Sequence, residues 1–380
     1  VAVPAPAPVP EPVPEAPRKG KGKDKKKRKE ERDTRAKKGP IGVDVLRLWV
    51  ATSDWTSDVA VGDIILQKNR ESYRRLRNSC RFMLGNLHDF DNTRDAVPLE
   101  AMRMGDRYML HQLHEFAVDV ARAHDAHAIH RVVSSAITLA SEALSADYFD
   151  ATKDRLYCGQ ADGPDRRAVQ TVLYVTLDTL LLALGPIVPF LTEEVHGYRK
   201  EPRPSAPIER LWCDPPPEWS QPEIARSWEL CKGVRTEVQR LVHTAQQSKQ
   251  IRGASEAMVH VHVESDSQLH TALEHLGGEL NDLLGVSASR VHLRPPSVTD
   301  GGMSNDNAVL QGAGAEGALG AFDGFVSPPG ARSHELELGS SVRLELVATE
   351  NAKCERCWRY VPAPEVAHIV SEVHEGWVYR

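Results

Sequence analysis

No uninterrupted apolar run in this sequence is long enough to cross a bilayer. The longest uninterrupted apolar run, Leu180 to Leu191, is twelve residues and contains Gly185, Pro186 and Pro189, well short of the roughly 20 that a transmembrane helix needs. A secretory signal is missing from the first residues too: positions 1–17 carry seven prolines, which hold the backbone in an extended polyproline form instead of a helix. Cysteine is scarce, six in 380 residues, with only Cys354 and Cys357 closely spaced. That excludes a disulfide framework and makes a reducing compartment, cytoplasm or organelle, the expectation.

What is present is a chain of globular composition, 41% hydrophobic and 26% charged, long enough for two or three compact units. The net charge of −6 conceals an asymmetry: residues 1–39 hold thirteen Lys/Arg against six Asp/Glu. This segment, Pro/Ala-rich and then Lys/Arg-rich, has too few apolar side chains to offset its ordering entropy, and the expectation is a disordered tail. The remainder is acidic, so any nucleic-acid contact depends on local basic stripes and not on overall charge.

Periodicity predicts a mainly α protein. A junction segment, 40–62, leads to a helix that Asp63 is expected to cap. Tyr73, Leu76, Cys80, Met83, Leu84 and Leu87 supply its inward face. A second helix is expected over 106–124, with Leu113, Phe116, Ala117 and Val120 inward, and a third over 129–157. A fourth over 164–184 opens with the favoured first-turn proline, and a short fifth is capped by Thr192. Short connections make these an antiparallel bundle over 63–200. A proline-rich linker, 201–224, precedes a small α+β unit, 225–350. There a helix ending near Gln247 is followed by strand-like alternation at 258–264, 290–294 and 342–347. A glycine-rich insertion, 298–330, interrupts that unit, and residues 351–380 read as a partial zinc ribbon.

Several segments, in order, carry a resemblance. Gly42-Val43-Asp44-Val45-Leu46-Arg47-Leu48-Trp49-Val50 and the Ser53–Asp58 run are followed by Tyr73-Arg74-Arg75-Leu76-Arg77-Asn78 and Arg81-Phe82-Met83-Leu84-Gly85-Asn86-Leu87. Then come Tyr148-Phe149-Asp150 with Lys153–Tyr157, Pro186-Ile187-Val188-Pro189-Phe190 with Glu193-Glu194-Val195, and Cys354-Glu355-Arg356-Cys357-Trp358. Together they are similar to the anticodon-binding and zinc-ribbon portion of bacterial or organellar isoleucyl-tRNA synthetases, class I aminoacyl-tRNA synthetases. The resemblance implies tRNA, and tRNA(Ile) in particular, as partner. ATP and Mg2+ belong to the full-length family enzyme. The family's H-I-G-H and K-M-S-K-S motifs, whose side chains stabilise charge developing during adenylate formation, do not occur in this sequence. The chain by itself is therefore expected not to form aminoacyl-adenylate. An alternative reading of the same segments is a free-standing, non-catalytic tRNA-binding or scaffold protein.

Candidate contacts follow. Arg70, Arg74, Arg77 and Arg81 fall within about 60° of one another on an ideal helix and can follow a phosphate backbone. Lys153 and Arg155, near the C-terminus of the third helix, oppose its dipole, and the motif match adds tRNA contact as a reading. Cys354 and Cys357 have the spacing of half a Zn2+ site, which His368 and His374 would complete. Trp358 can stack on an unpaired base or shield the metal, with Arg356 beside it. Asp147, Asp150 and Asp154 are expected to form surface ion pairs.

Overall fold

The structure is a computed structural model that describes residues 40–54, 56, 58–59, 61–199, 206–265, 267–294 and 342–349, together with the strand backbones 334–338, 352–353 and 360–361. The tail and the glycine-rich insertion lie outside the described residues, as do Cys354, Arg356, Cys357, Trp358, His368 and His374.

The bundle is built from α1 (Val43–Thr52), α2 (Asp63–Asn86), α3 (Met104–Asp125) and a long helix whose two α-helical ends are α4 (Ile129–Thr138) and α5 (Phe149–Tyr157); α6 (Pro164–Leu184) and α7 (Pro189–Gly197) complete it. The expected inward faces are inward: Leu76, Cys80 and Met83 of α2 and Leu113, Phe116, Ala117 and Val120 of α3 are buried in one core. Helix α6 is long and apolar enough by composition to cross a membrane. Instead its leucines, Leu173, Leu177, Leu180, Leu181 and Leu184, form the centre of this core.

Three local expectations are corrected. Asp63 is the first residue of α2, with Gly62 in the capping position; its carboxylate meets the helix dipole from inside the first turn. Thr192 lies within α7, which begins at Pro189, and its hydroxyl donates to the Pro189 carbonyl at 3.1 Å. Proline fixes the helical φ and lacks the N–H that a cap would serve, so the helix starts there. The third predicted helix is continuous in position but not in type, since Leu139–Tyr148 is π-helical. Small side chains permit the wider turn, and the Ser145 hydroxyl donates to the Ala140 carbonyl, five residues back, at 2.7 Å. π segments this long are unusual and concentrate at sites under functional constraint.

The α+β unit starts with α8 (Pro222–Gln247) and places β1 (Ala257–Glu264), α9 (Gln268–Leu276), α10 (Leu280–Leu284) and β2 (Ala288–Arg294) before β3 (His334–Leu338) and β4 (Val342–Ala348). The sheet order is β2-β1-β4-β3. β1 and β2 are parallel, linked through α9 and α10, and the other pairings are antiparallel. One face of β1, Ala257, Val259, Val261 and Val263, is buried against the helices. A separate pair of short strands, β5 (Ala352–Lys353) and β6 (Tyr360–Val361), sets Lys353 opposite Tyr360 on either side of the two-cysteine segment. The two cores share helix α3, because Met104 and Tyr108 at its start pack with Trp228, Cys231 and the sheet.

Candidate nucleic-acid interface

Helix α2 presents its cations as a rank. Arg74, Arg77 and Arg81 are exposed and Arg70 is half-buried, all on one side of the helix, while Leu76, Cys80 and Met83 face inward. Lys68 and Arg75, outside the spacing that singled out those four, are exposed on the same helix. Arg70 donates to the Pro40 carbonyl at 3.2 Å. Arg74 donates twice to Glu71, at 3.0 and 2.6 Å, and Arg77 pairs with Glu194 of α7. The pairing raises both guanidinium pKa values and lowers that of Glu71. Such exposed pairs contribute only about 0–1 kcal/mol, so a phosphate can displace the carboxylates at little cost.

The two remaining described candidates part company. Lys153 is exposed on α5 and pairs with Asp150 at 2.7 Å. Arg155 is turned inward: it donates to both oxygens of Asp106, at 2.9 and 2.7 Å, and to the Asp165 carbonyl at 2.8 Å. Asp106 is wholly buried and also accepts from the Tyr148 hydroxyl at 2.8 Å. Burial works to lower the Arg155 pKa, but the bonds and charge of Asp106 outweigh it and the net direction is up. Burial and the same carboxylate push the Tyr148 hydroxyl far up. Arg155 is thus an internal strut that ties α5 to α3.

Two of the segments behind the resemblance, Gly42–Val50 and Pro186–Val195, meet in space. Asp44 of α1 is buried and accepts from the Leu191 N–H at 2.8 Å, while Arg47 donates to the Ile187 and Pro186 carbonyls at 2.9 and 2.8 Å. One motif therefore holds the turn made by the other. A further cluster, which sequence reasoning missed, closes the other end: Arg166 is bidentate to Asp89 at 2.6 and 3.0 Å, and Gln170 donates to the same carboxylate at 2.8 Å. Its partners are about eighty positions apart, and no local spacing signals them. Of the aspartates expected in surface pairs, Asp150 is so paired, whereas Asp147 reaches across to α8, to Arg235 at 3.0 Å and Lys232 at 3.3 Å. Among the described residues no group of three or more His, Cys, Asp or Glu is arranged to hold a metal ion.

The family described as the anticodon-binding domain of tRNA ligase matches residues 106–261. The isoleucine–tRNA ligase of Moorella thermoacetica is 34% identical over 319 residues, 83% of this chain and 31% of that protein. That of Desulforudis audaxviator is 40% identical over 230 residues, 60% of this chain and 24% of that protein, and that of a Synechococcus strain is 31% identical over 332 residues. The chain spans less than a third of the length of these curated relatives. The bundle, the order of its motifs and these similarities together assign the chain to the isoleucyl-tRNA synthetases, of which it carries an anticodon-binding region.

Proposed function

We propose that this chain is the tRNA-binding, anticodon-recognising part of an isoleucine–tRNA ligase. In the whole enzyme it would hold tRNA(Ile) while other sequence activates isoleucine with ATP and Mg2+ and transfers it to the acceptor end. The observation that carries the reading is the arginine rank of α2 (Asp63–Asn86), a helix that packs in the same core as α3 and α6, which, but for the first two residues of α3, lie within the family match over residues 106–261. Its exposed guanidinium groups suit the phosphate backbone by charge and fork geometry. Lys153 would extend the contact, and Arg155 would act through the Asp106 strut. Arg356 and Trp358 would meet the anticodon loop by charge and stacking. Cys354 and Cys357 would supply two thiolates to Zn2+, and the pairing of β5 with β6, which brings the ends of their segment together, is compatible with a two-cysteine turn. Cytoplasm or an organelle is the proposed location.

The test is tRNA(Ile) binding by the full chain over a range of salt, against a tRNA for another amino acid. The Arg74→Glu/Arg77→Glu variant should bind more weakly, and its log Kd against log salt should flatten by about 1.4–1.8 units, as two phosphates are no longer neutralised. Unchanged affinity and slope in a correctly folded variant would remove α2 from the interface.

A further inference from the structure

Helix α3 has no capping side chain of its own: Arg103 stands in the N-cap position and makes no capping bond. The free N–H groups of Met104 and Gly105 are met instead by the Glu279 carboxylate, from the one-turn helix that leads into α10, at 2.8 and 3.0 Å. A residue of the α+β unit therefore caps a helix of the bundle, where the helix dipole favours negative charge. Gly105 makes the approach feasible, since a Cβ there would stand 2.9 Å from the Trp228 ring and 3.3 Å from a Glu279 oxygen. Burial pushes the Glu279 carboxyl up, against the lowering effect of those two N–H groups.

Contacts on either side fix the same seam. Arg103 reaches Asp165 of the bundle at 2.6 Å and Asp282 of α10 at 3.5 Å. Tyr108 donates to Glu229 at 2.6 Å and stacks on Trp228 with ring centroids 5.3 Å apart. Asp147, carried by the π segment, takes Arg235 and Lys232 of α8. The space left between them is a cavity of about 40 Å³ lined by Asp106, Tyr148, Arg155 and Glu279 among others.

We infer that Glu279 is a positioning residue for tRNA: by capping α3 it sets the angle of the α+β unit on the bundle, so that both units grip one tRNA molecule. The inference rests on the tRNA-binding reading above. The α+β unit has exposed cations of its own, Lys249 and Arg252 just beyond α8 and Arg290 on the edge strand β2. Two charged surfaces reinforce each other on one ligand only if their separation matches it, because the second contact then forms at high effective concentration. A seam held by a charged cap and a glycine–tryptophan contact supplies that fixed geometry.

The experiment uses the full chain and transcribed tRNA(Ile), with Glu279→Ala, Glu279→Gln, Gly105→Ala and Lys249→Ala/Arg252→Ala variants. Amide hydrogen exchange at Met104 and Gly105 should speed up about tenfold or more in Glu279→Ala, and partly recover in Glu279→Gln, which keeps an acceptor. tRNA affinity should fall about tenfold, and the salt slope should drop by about 0.7–0.9 for each phosphate that is no longer neutralised. Lys249→Ala/Arg252→Ala should give a similar loss, and combining it with Glu279→Ala should add little, the non-additivity expected when one change already disables the other's surface. Gly105→Ala reaches the seam from the bundle side and should reproduce the effect with the carboxylate intact. Faster exchange with unchanged affinity and slope would overturn the inference and leave Glu279 a structural cap. Fully additive losses would overturn it as well. Absence of tRNA binding by the unmodified chain would instead sink the earlier reading, and this one with it.

Discussion

Replacing Arg155 by methionine keeps the apolar stem of the side chain and removes its guanidinium. Asp106, fully buried, then loses bonds of 2.9 and 2.7 Å and keeps the Tyr148 hydroxyl at 2.8 Å. Stranding one member of a buried pair costs about 3–5 kcal/mol. At about 2–4 °C per kcal/mol for a unit of this size, Tm should fall by about 6–20 °C in far-ultraviolet circular dichroism melts. Arg74→Met, by contrast, removes only an exposed pair with Glu71 and should cost no more than about 1 kcal/mol. The double replacement Asp106→Leu/Arg155→Met, which removes both charges, should recover much of the loss. If Arg155→Met melts with Arg74→Met while losing affinity for tRNA, the guanidinium is serving RNA and not Asp106, and the strut argument fails.

Burial would raise the Asp89 carboxyl, but the hydrogen bonds from Arg166 and Gln170 outweigh it and hold the pKa at about 2, below its ordinary 3.8. A depressed carboxylate stabilises the fold above its unfolded pKa and ceases to do so as pH falls through the folded one. Acid unfolding should therefore show a stability loss between about pH 4 and pH 2 that is flattened in Asp89→Asn. Burial pushes the Cys80 and Cys231 thiols up to about 12, whereas Cys213 is exposed. Of the four described cysteines, Cys213 should react first with a thiol reagent, and Cys80 and Cys231 only on unfolding. Purified chain should give no ATP–pyrophosphate exchange signal, and a signal that copurifies with it would show adenylate chemistry in these residues.

Much of the bundle was legible because its helices are amphipathic and their punctuation is local: Gly163-Pro164 and Gly185-Pro186 bound α6 as expected. The arginine rank was legible for the same reason, being a matter of spacing on one helix. What spacing cannot convey is which cation has a carboxylate waiting elsewhere in the fold. Lys153 and Arg155 are two positions apart, yet one is exposed and the other is turned in against the buried Asp106, a partner 49 positions away. The Glu279 cap was hidden likewise, since its partners are backbone N–H groups about 175 positions earlier. The π segment left no periodic signature distinct from that of an α-helix of the same length. Helix α1 reads as a junction in the sequence because its role, carried by Asp44 and Arg47, is to hold a turn of distant sequence.

That π segment makes the length of one helix a setting for the direction of others. Each residue of an α-helix turns the chain by about 100°, so a one-residue deletion between Leu139 and Tyr148 that let the stretch relax to α-helix would not simply shorten it. It would swing Asp147 away from Arg235 and Lys232, or carry Phe149 off its stacked partner Phe82, 4.1 Å away between ring centroids. Insertions and deletions should therefore be tolerated far less in this helix than its run of small side chains suggests.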